Sequence, residues 1–240
     1  MADFDEYADS YREAVASSIS FSGREVDYFA RRKAEQLLEL SRRRVGDPAE
    51  LSVLDVGCGI GTTDGFLTPR FREVHGVDLA AGAVAHAAAA NPEAQYRSYS
   101  GDTLPIPSDA HDVVFAACVL HHVSVAERAA FALEMQRVTR PGGLVVVFEH
   151  NPLNPLTRLA VSRCEFDEGV ELLSRRTTAG LLRACGLTAI ESAYIVFFPW
   201  DRRPLPAIER RLKRLPFGAQ YYVAGRKETN IGGNEITAFE

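Results

Sequence analysis

The segment Asp55-Val56-Gly57-Cys58-Gly59-Ile60-Gly61 sets three glycines at alternate positions behind a carboxylate. Glycine tolerates positive φ and lets the backbone come close to a ligand, so such a loop at a strand end reads as a small-molecule cradle. The spacing is G-x-G-x-G, not the G-x-G-x-x-G of a dinucleotide-binding turn. A pyrophosphate asks for a helix N-terminus. A carboxylate two residues ahead of the first glycine instead suits a cationic amine, and so a ligand with an amino-acid part. Farther along, His121-His122 and Glu149-His150-Asn151 supply imidazoles, which at a pKa near 6.5 can take a proton from a hydroxyl or an amine. Arg158 and Arg163 could clamp a phosphate or a carboxylate bidentately, although each equally suits a solvated surface.

These residues need elements to hold them. From Leu51 onward, short apolar runs alternate with helix-sized stretches: LSVLDV, EVHGVD, AQYRSY, DVVFAAC and GLVVVFE. Runs of that length, apolar throughout, are expected of parallel strands buried on both faces. Helices are predicted over 63–71, 81–90 and 124–140, with Ser124 and Glu127 as a capping box. A helix over 177–184 leads to a sixth strand over 187–198, a basic amphipathic helix over 204–214, and a last strand over 219–225. The expected fold is therefore α/β: a Rossmann-like doubly wound seven-stranded sheet, mostly parallel with an antiparallel last strand, and helices on both faces. The glycine loop falls where the first strand meets the first helix, and His150 falls where the fifth strand ends.

Residues 1–50 carry two apolar stripes, over 3–18 and from about Ser22 to Val45, and are expected to form an N-terminal helical lid. The α/β domain spans 51–226 with a substrate-side excursion at 150–176, too long and proline-interrupted to be a mere connector. The tail over 227–240 has no period and is expected to be unstructured.

With 240 residues, 46% apolar and 25% charged, the chain falls in the ordinary globular range. Its formal charge of −5 argues against a general nucleic-acid binder, while the stretch 151–226 is locally basic and leaves room for a small anionic ligand. Four scattered cysteines form neither a disulfide framework nor a metal knuckle, and no metal is expected. The N-terminus lacks a basic n-region and an apolar h-region, and no apolar run reaches the ~20 residues of a membrane span. A cytoplasmic protein without stable membrane association is expected; oligomeric state cannot be read.

The glycine loop, HGVDLA, GDTLPIP, VLHHV and RVTRPGG together resemble the class I S-adenosylmethionine-dependent methyltransferases, closely over residues 50–150. The resemblance implies S-adenosylmethionine as cofactor and S-adenosylhomocysteine as its product. It implies that Gly57, Cys58 and Gly59 pack against the methionine part, that Asp55 supports the loop and the ammonium, and that Asp78 binds the ribose hydroxyls with Leu79 against the adenine. Gly101, Asp102 and Thr103 stand in the adenine-edge segment, Asp102 displaced by two positions, and Ala117 stands at the end of the fourth strand. His150 and His122 are the candidates for proton handling; Tyr11 of the lid, Asn151, Arg158 and Arg163 are the candidates for acceptor binding. The implied reaction is in-line transfer of a methyl group to an oxygen or nitrogen of a small molecule. Carbon methylation, a protein acceptor, and a catalytically silent cofactor-binding partner stay open.

Overall fold

Alternate residues of the central strands enter two different cores. Val113 and Phe115 of one strand and Leu144, Val146 and Phe148 of its neighbour face one side, while Val114, Ala116, Val145 and Val147 face the other. Because successive side chains point to opposite faces, a run that is apolar at every position must be covered twice. The computed structural model describes residues 26–198, 209 and 211–229, and shows a seven-stranded sheet so covered.

The elements, in chain order, are α1 (Val26–Arg44), β1 (Ser52–Val56), β2 (Glu73–Asp78), α2 (Ala81–Ala90), β3 (Gln95–Ser98), β4 (His111–Ala117), α3 (Arg128–Val138), β5 (Thr139–His150), α4 (Pro155–Val161), α5 (Arg175–Ala184), β6 (Thr188–Ile195) and β7 (Gln220–Arg226). The sheet order is β3-β2-β1-β4-β5-β7-β6. Strands β1 to β5 pair in parallel, and β7 runs antiparallel between β5 and β6. The chain leaves β1 toward one sheet edge and from β4 onward builds toward the other. A crevice must then open beyond the carboxyl ends of β1 and β4, where such sheets bind ligands. Leu37 and Leu40 of α1 cover one face; Met135 of α3 and Leu182 of α5 cover the other.

Several boundaries differ from the sequence expectation. The predicted helix over 63–71 is only a 3-10 turn, Asp64–Phe66; Gly65 weakens it, and the Asp64 carboxylate is engaged with Tyr96. The helix predicted from Ser124 begins at Arg128, since the Ser124 hydroxyl bonds the Glu127 carboxylate instead of capping a backbone N–H. Thr139 already pairs with His111, so β5 starts before the Pro-Gly-Gly turn. The excursion holds α4 and a 3-10 turn, Glu165–Asp167. The stripe over 3–18, the lid residue Tyr11, most of the helix predicted over 204–214 and most of the tail lie outside the described residues. Among the described residues no helix is long and apolar enough to cross a membrane.

The C-terminal end of α1 is fastened to the far sheet edge by charge. Arg43 meets Glu191 of β6 with both guanidinium nitrogens, at 2.8 and 2.6 Å. Arg44 adds a bond at 3.1 Å, and the Tyr222 hydroxyl donates to the same carboxylate at 2.7 Å. Partial burial opposes ionisation of Glu191, but these donors outweigh it and hold its pKa down at about 2, against an ordinary 4.5. A carboxylate with a depressed folded-state pKa contributes stability above its unfolded pKa and loses it as pH falls toward the folded one. Glu191→Gln is expected to cost about 1 kcal/mol at neutral pH, the modest figure suiting a partly exposed cluster. Urea titrations of wild type and variant should converge as pH drops from 4.5 toward 2; a gap independent of pH would show that the ion pairs do not fasten the helix.

Candidate active site

The backbone between β1 and α2 is built around its glycines. Gly57, Gly59 and Gly61 have φ of +79°, +52° and +71°, a region that costs other residues strain. A Cβ on Gly57 would stand 2.6 Å from the Val119 side chain, whereas one on Gly59 would meet nothing within 4 Å. Position 57 is thus needed for packing, and position 59 leaves the backbone open to whatever fills the crevice. The Gly57 and Cys58 amides both donate to the Val77 carbonyl, at 2.8 and 3.1 Å, tying the loop to β2. Asp78 then completes the tie: its Oδ2 accepts the Gly59 N–H at 2.7 Å and its Oδ1 the Ala80 N–H at 3.0 Å. A carboxylate has about four lone-pair sites, so each oxygen keeps capacity for a ligand hydroxyl.

Behind the loop Asp55 meets a second carboxyl, Asp64, which no sequence motif singles out. Asp55 borders the crevice but is 2% exposed, and the buried Asp64 carboxyl acts on it directly. Burial, then the neighbouring Asp64, push the Asp55 pKa well up. Two carboxyl groups in such contact hold a proton between them. Tyr96 donates to Asp64 at 2.9 Å, and Asn91 joins the Tyr96 hydroxyl to the Gly61 carbonyl, both at 3.0 Å. The loop therefore rests on a proton-sharing acid pair, and Asp55 is part of its foundation.

A single cavity of about 1650 Å3 runs from this loop to the end of β5. At the loop end it is bordered by Leu79, Tyr99, Gly101, Asp102 and Leu104. Leu79 is 55% exposed, an apolar surface facing an opening. Gly101 has φ +87°, and a Cβ placed on it would meet nothing within 4 Å. Tyr99 and Leu104 were not singled out by sequence; they follow β3 in the segment the motif only brackets. Thr103 is exposed and lies outside the cavity lining, because the adjoining Leu104 turns inward with its N–H on Glu134, 2.8 Å away.

At the other end, β4 finishes at Ala117 and Cys118 takes φ +61°, turning the chain so that His121 and His122 follow beside the cavity. Glu149, the penultimate residue of β5, is fully buried. Its Oε1 accepts the Leu120 N–H at 2.8 Å and its Oε2 lies 2.6 Å from His121 Nδ1. The other His121 nitrogen, Nε2, lies 3.4 Å from Asp167 Oδ1, which is also 3.3 Å from His122 Nε2. Burial alone would lower the His121 pKa, but the Glu149 and Asp167 carboxylates overcome it and raise it to about 10. His121 is therefore an imidazolium between two carboxylates, and it in turn holds Glu149 below its usual range against the effect of burial. His150, its ring centroid 5.3 Å from that of His121, goes the other way: burial, then the His121 charge, lower its pKa to about 4. It stands neutral at pH 7. Lys33 of α1 also borders the cavity, its Nζ 3.9 Å from Cys118 Sγ.

The structure brings together Asp55, Gly57, Cys58, Gly59, Asp78, Leu79, Gly101, Asp102, Ala117, His122 and His150 on one cavity. It does not bring the described acceptor candidates, Asn151, Arg158 and Arg163, there. Asn151 is 1% exposed; its Nδ2 donates to the Pro216 and Gly218 carbonyls at 3.0 and 2.7 Å, so it pins the entry to β7. Arg158 and Arg163 are exposed and outside the lining, because α4 gives the cavity Thr157, Ala160 and Val161 instead. The described residues of the basic stretch 151–226 thus do not make a basic pocket. Among the described residues the lining cations besides histidine are Lys33 and Arg128, and Arg128 is spent on the Val123 and Glu171 carbonyls. Lys33 and Asp167 could not be found from sequence, since nothing in their local pattern relates them to the histidines.

A family model described as a methyltransferase domain matches residues 54–147. The chain contains that domain, and its fold is that of the class I S-adenosylmethionine-dependent methyltransferases. It is 32% identical over 108 residues to the 2-methyl-6-phytyl-1,4-hydroquinone methyltransferase of Synechocystis sp., covering 43% of this chain and 33% of that one. It is 28% identical over 166 residues to the ubiquinone biosynthesis O-methyltransferase of Methylobacterium nodulans, covering 64% and 66%. The chain spans between a third and two thirds of the length of these relatives. A solved structure from Thermotoga maritima, described as a possible histamine N-methyltransferase, superposes with a TM-score of 0.68 at 16% identity, covering 94% of this chain and 98% of that one.

Gly57 offers a direct test of the loop. In Gly57→Ala the new methyl would meet Val119 at positive φ; the variant is expected to lose about 1–3 kcal/mol of stability and to bind S-adenosylhomocysteine at least ~10-fold more weakly. Gly59→Ala, strained but uncrowded, should keep more stability and still lose affinity. Calorimetry showing full affinity in both variants would remove the loop from the binding site.

Proposed function

We propose that the protein is an S-adenosylmethionine-dependent methyltransferase acting at an oxygen or nitrogen of a small, largely apolar acceptor. The observation that carries this reading is the one cavity that joins the Asp78 loop to the His121–His122–His150–Asp167 group. When bound, S-adenosylmethionine supplies a methyl group on a positively charged sulfur. The residues present suit that ligand. Asp78 has acceptor capacity left for ribose hydroxyls, Leu79 and Tyr99 offer surface for the adenine, and Asp102 would take its amine. The open backbone at Gly59, beside Gly57 and Cys58, has room for the methionine part.

The chain's own contribution to transfer is placement and proton handling. Phe29, Phe131, Val161 and Phe166 line the cavity and would exclude water and align an apolar acceptor, the main demand of an in-line displacement. His150, neutral and facing the cavity, accepts a hydrogen bond from the acceptor's O–H or N–H. A pKa near 4 makes it a weak base, so it orients the nucleophile more than it ionises it. Asp167 steadies His122 on the same wall. Two relatives are named for hydroquinone and ubiquinone methylation, which supports a hydroxylated ring as acceptor. Among the described residues the lining gives no support to an anionic one, and a cavity reached through side chains of four elements suits a small molecule better than a protein.

The test is methyl transfer from labelled S-adenosylmethionine to a panel of hydroxylated aromatics and amines. Asp78→Ala should weaken S-adenosylhomocysteine binding roughly 10- to 100-fold. His150→Ala should lower kcat by about 10²-fold with cofactor affinity unchanged. Unaltered affinity in the first variant sinks the ribose assignment, and wild-type kcat in the second sinks the role of His150. Cofactor binding with no transfer to any acceptor class would favour the silent partner.

A further inference from the structure

We propose that His121, His150 and Asp167 form a binding site for a divalent first-row transition metal on the acceptor side of the cavity. One nitrogen of each imidazole and one oxygen of Asp167 lie within 4.8 Å of one another. One of these separations, 3.4 Å from His121 Nε2 to Asp167 Oδ1, is what two ligands on one ion of this size require, with bonds of about 2.0–2.2 Å; His150 would draw in toward them around a shared ion. His122 Nε2, 3.3 Å from the same Asp167 oxygen, is not one of the group and acts on it only through that carboxylate.

Three further features point to a metal and not to a plain ion-pair cluster. First, the donor set of two imidazoles and one carboxylate suits zinc, iron, cobalt or nickel and not the oxygen-seeking magnesium or calcium. Second, Glu149 already holds His121 by Nδ1 at 2.6 Å, the carboxylate–histidine arrangement that fixes Nε2 as the ligating atom and raises its donor strength. Third, His121 and His150 border the cavity, so an ion held there keeps a coordination position open toward a ligand. Binding balances simply: the His121 imidazolium gives its Nε2 proton to solvent, the metal takes that lone pair, and no electron is transferred. An acceptor hydroxyl or carbonyl could then fill the open position; with the lone pair of His150 on the ion, the metal takes over from His150 the placing of the acceptor, which rests on the proposed function but is not needed for the metal to bind.

Full-length protein treated with a chelator and desalted is titrated with Co2+ and, in competition, with Zn2+. The expected result is one equivalent per chain with visible d–d absorption and paramagnetically shifted imidazole N–H resonances from at least two histidines. Asp167→Asn and His150→Gln should each weaken binding by at least ~100-fold, with far-UV circular dichroism showing that the fold is kept. The shifted resonances need no variant, so the assignment is tested even if a substitution unfolds the chain. Absence of stoichiometric Co2+ binding to the wild type, or binding without shifted histidine resonances, overturns the site; so does unchanged affinity in both folded variants. S-adenosylhomocysteine affinity is measured on the same samples. Loss of metal binding with cofactor affinity intact rejects the metal alone, whereas failure to bind the cofactor rejects the proposed function and leaves the metal result standing.

Discussion

A carboxylate with no exposure at all, Glu149, is the constraint around which the histidine end of the cavity is arranged. Burying such a charge without partners would cost several kcal/mol, so its surroundings must answer it. They do so with the Leu120 amide, the His121 ring and the His150 amide. Those three donors come from the segment after β4 and from the end of β5, and meeting one carboxylate locks the two strand ends together. The charge induced on His121 then draws in Asp167 from the excursion and suppresses protonation of His150. Two imidazoles on one wall thus hold opposite protonation states because of one buried acid.

The loop end follows a different logic. Asp55 and Asp64 share a proton in the interior, so this acid pair carries less charge than its residue types suggest. Asp78, partly exposed and tied to the Gly59 amide, is the carboxylate presented to the crevice. A foundation of reduced charge with Asp78 at its rim is compatible with a ligand that is cationic at one end and carries hydroxyls in the middle.

What was legible in the sequence was what is local. The glycine loop, Asp78 at the end of β2 and the five parallel strands each carry a pattern within ten residues, and each stands where that pattern put it. The helix over 63–71 failed because Asp64, an ordinary helix residue by type, is claimed by Tyr96, 32 positions away. Arg158 and Arg163 failed because charge composition says nothing of which helix face turns inward; α4 gives the cavity its small and apolar residues. Asp167 and Lys33 were invisible for the same reason, since only the fold brings residues from α1 and the excursion to the histidines.

The strand order carries a consequence for how the chain is made. β7 lies between β5 and β6, so during synthesis both of those strands emerge with an open hydrogen-bonding edge and wait for residues 220–226. Until then Phe148, Glu149 and His150 lack the strand they pair with, and Gln220 is missing from the cavity wall. An unpaired apolar edge is a hazard for a nascent chain, and long-range closure of this kind is slow. The buried acid therefore acquires its final shelter only when β7 pairs, which makes a chain stalled before that point a candidate for chaperone capture.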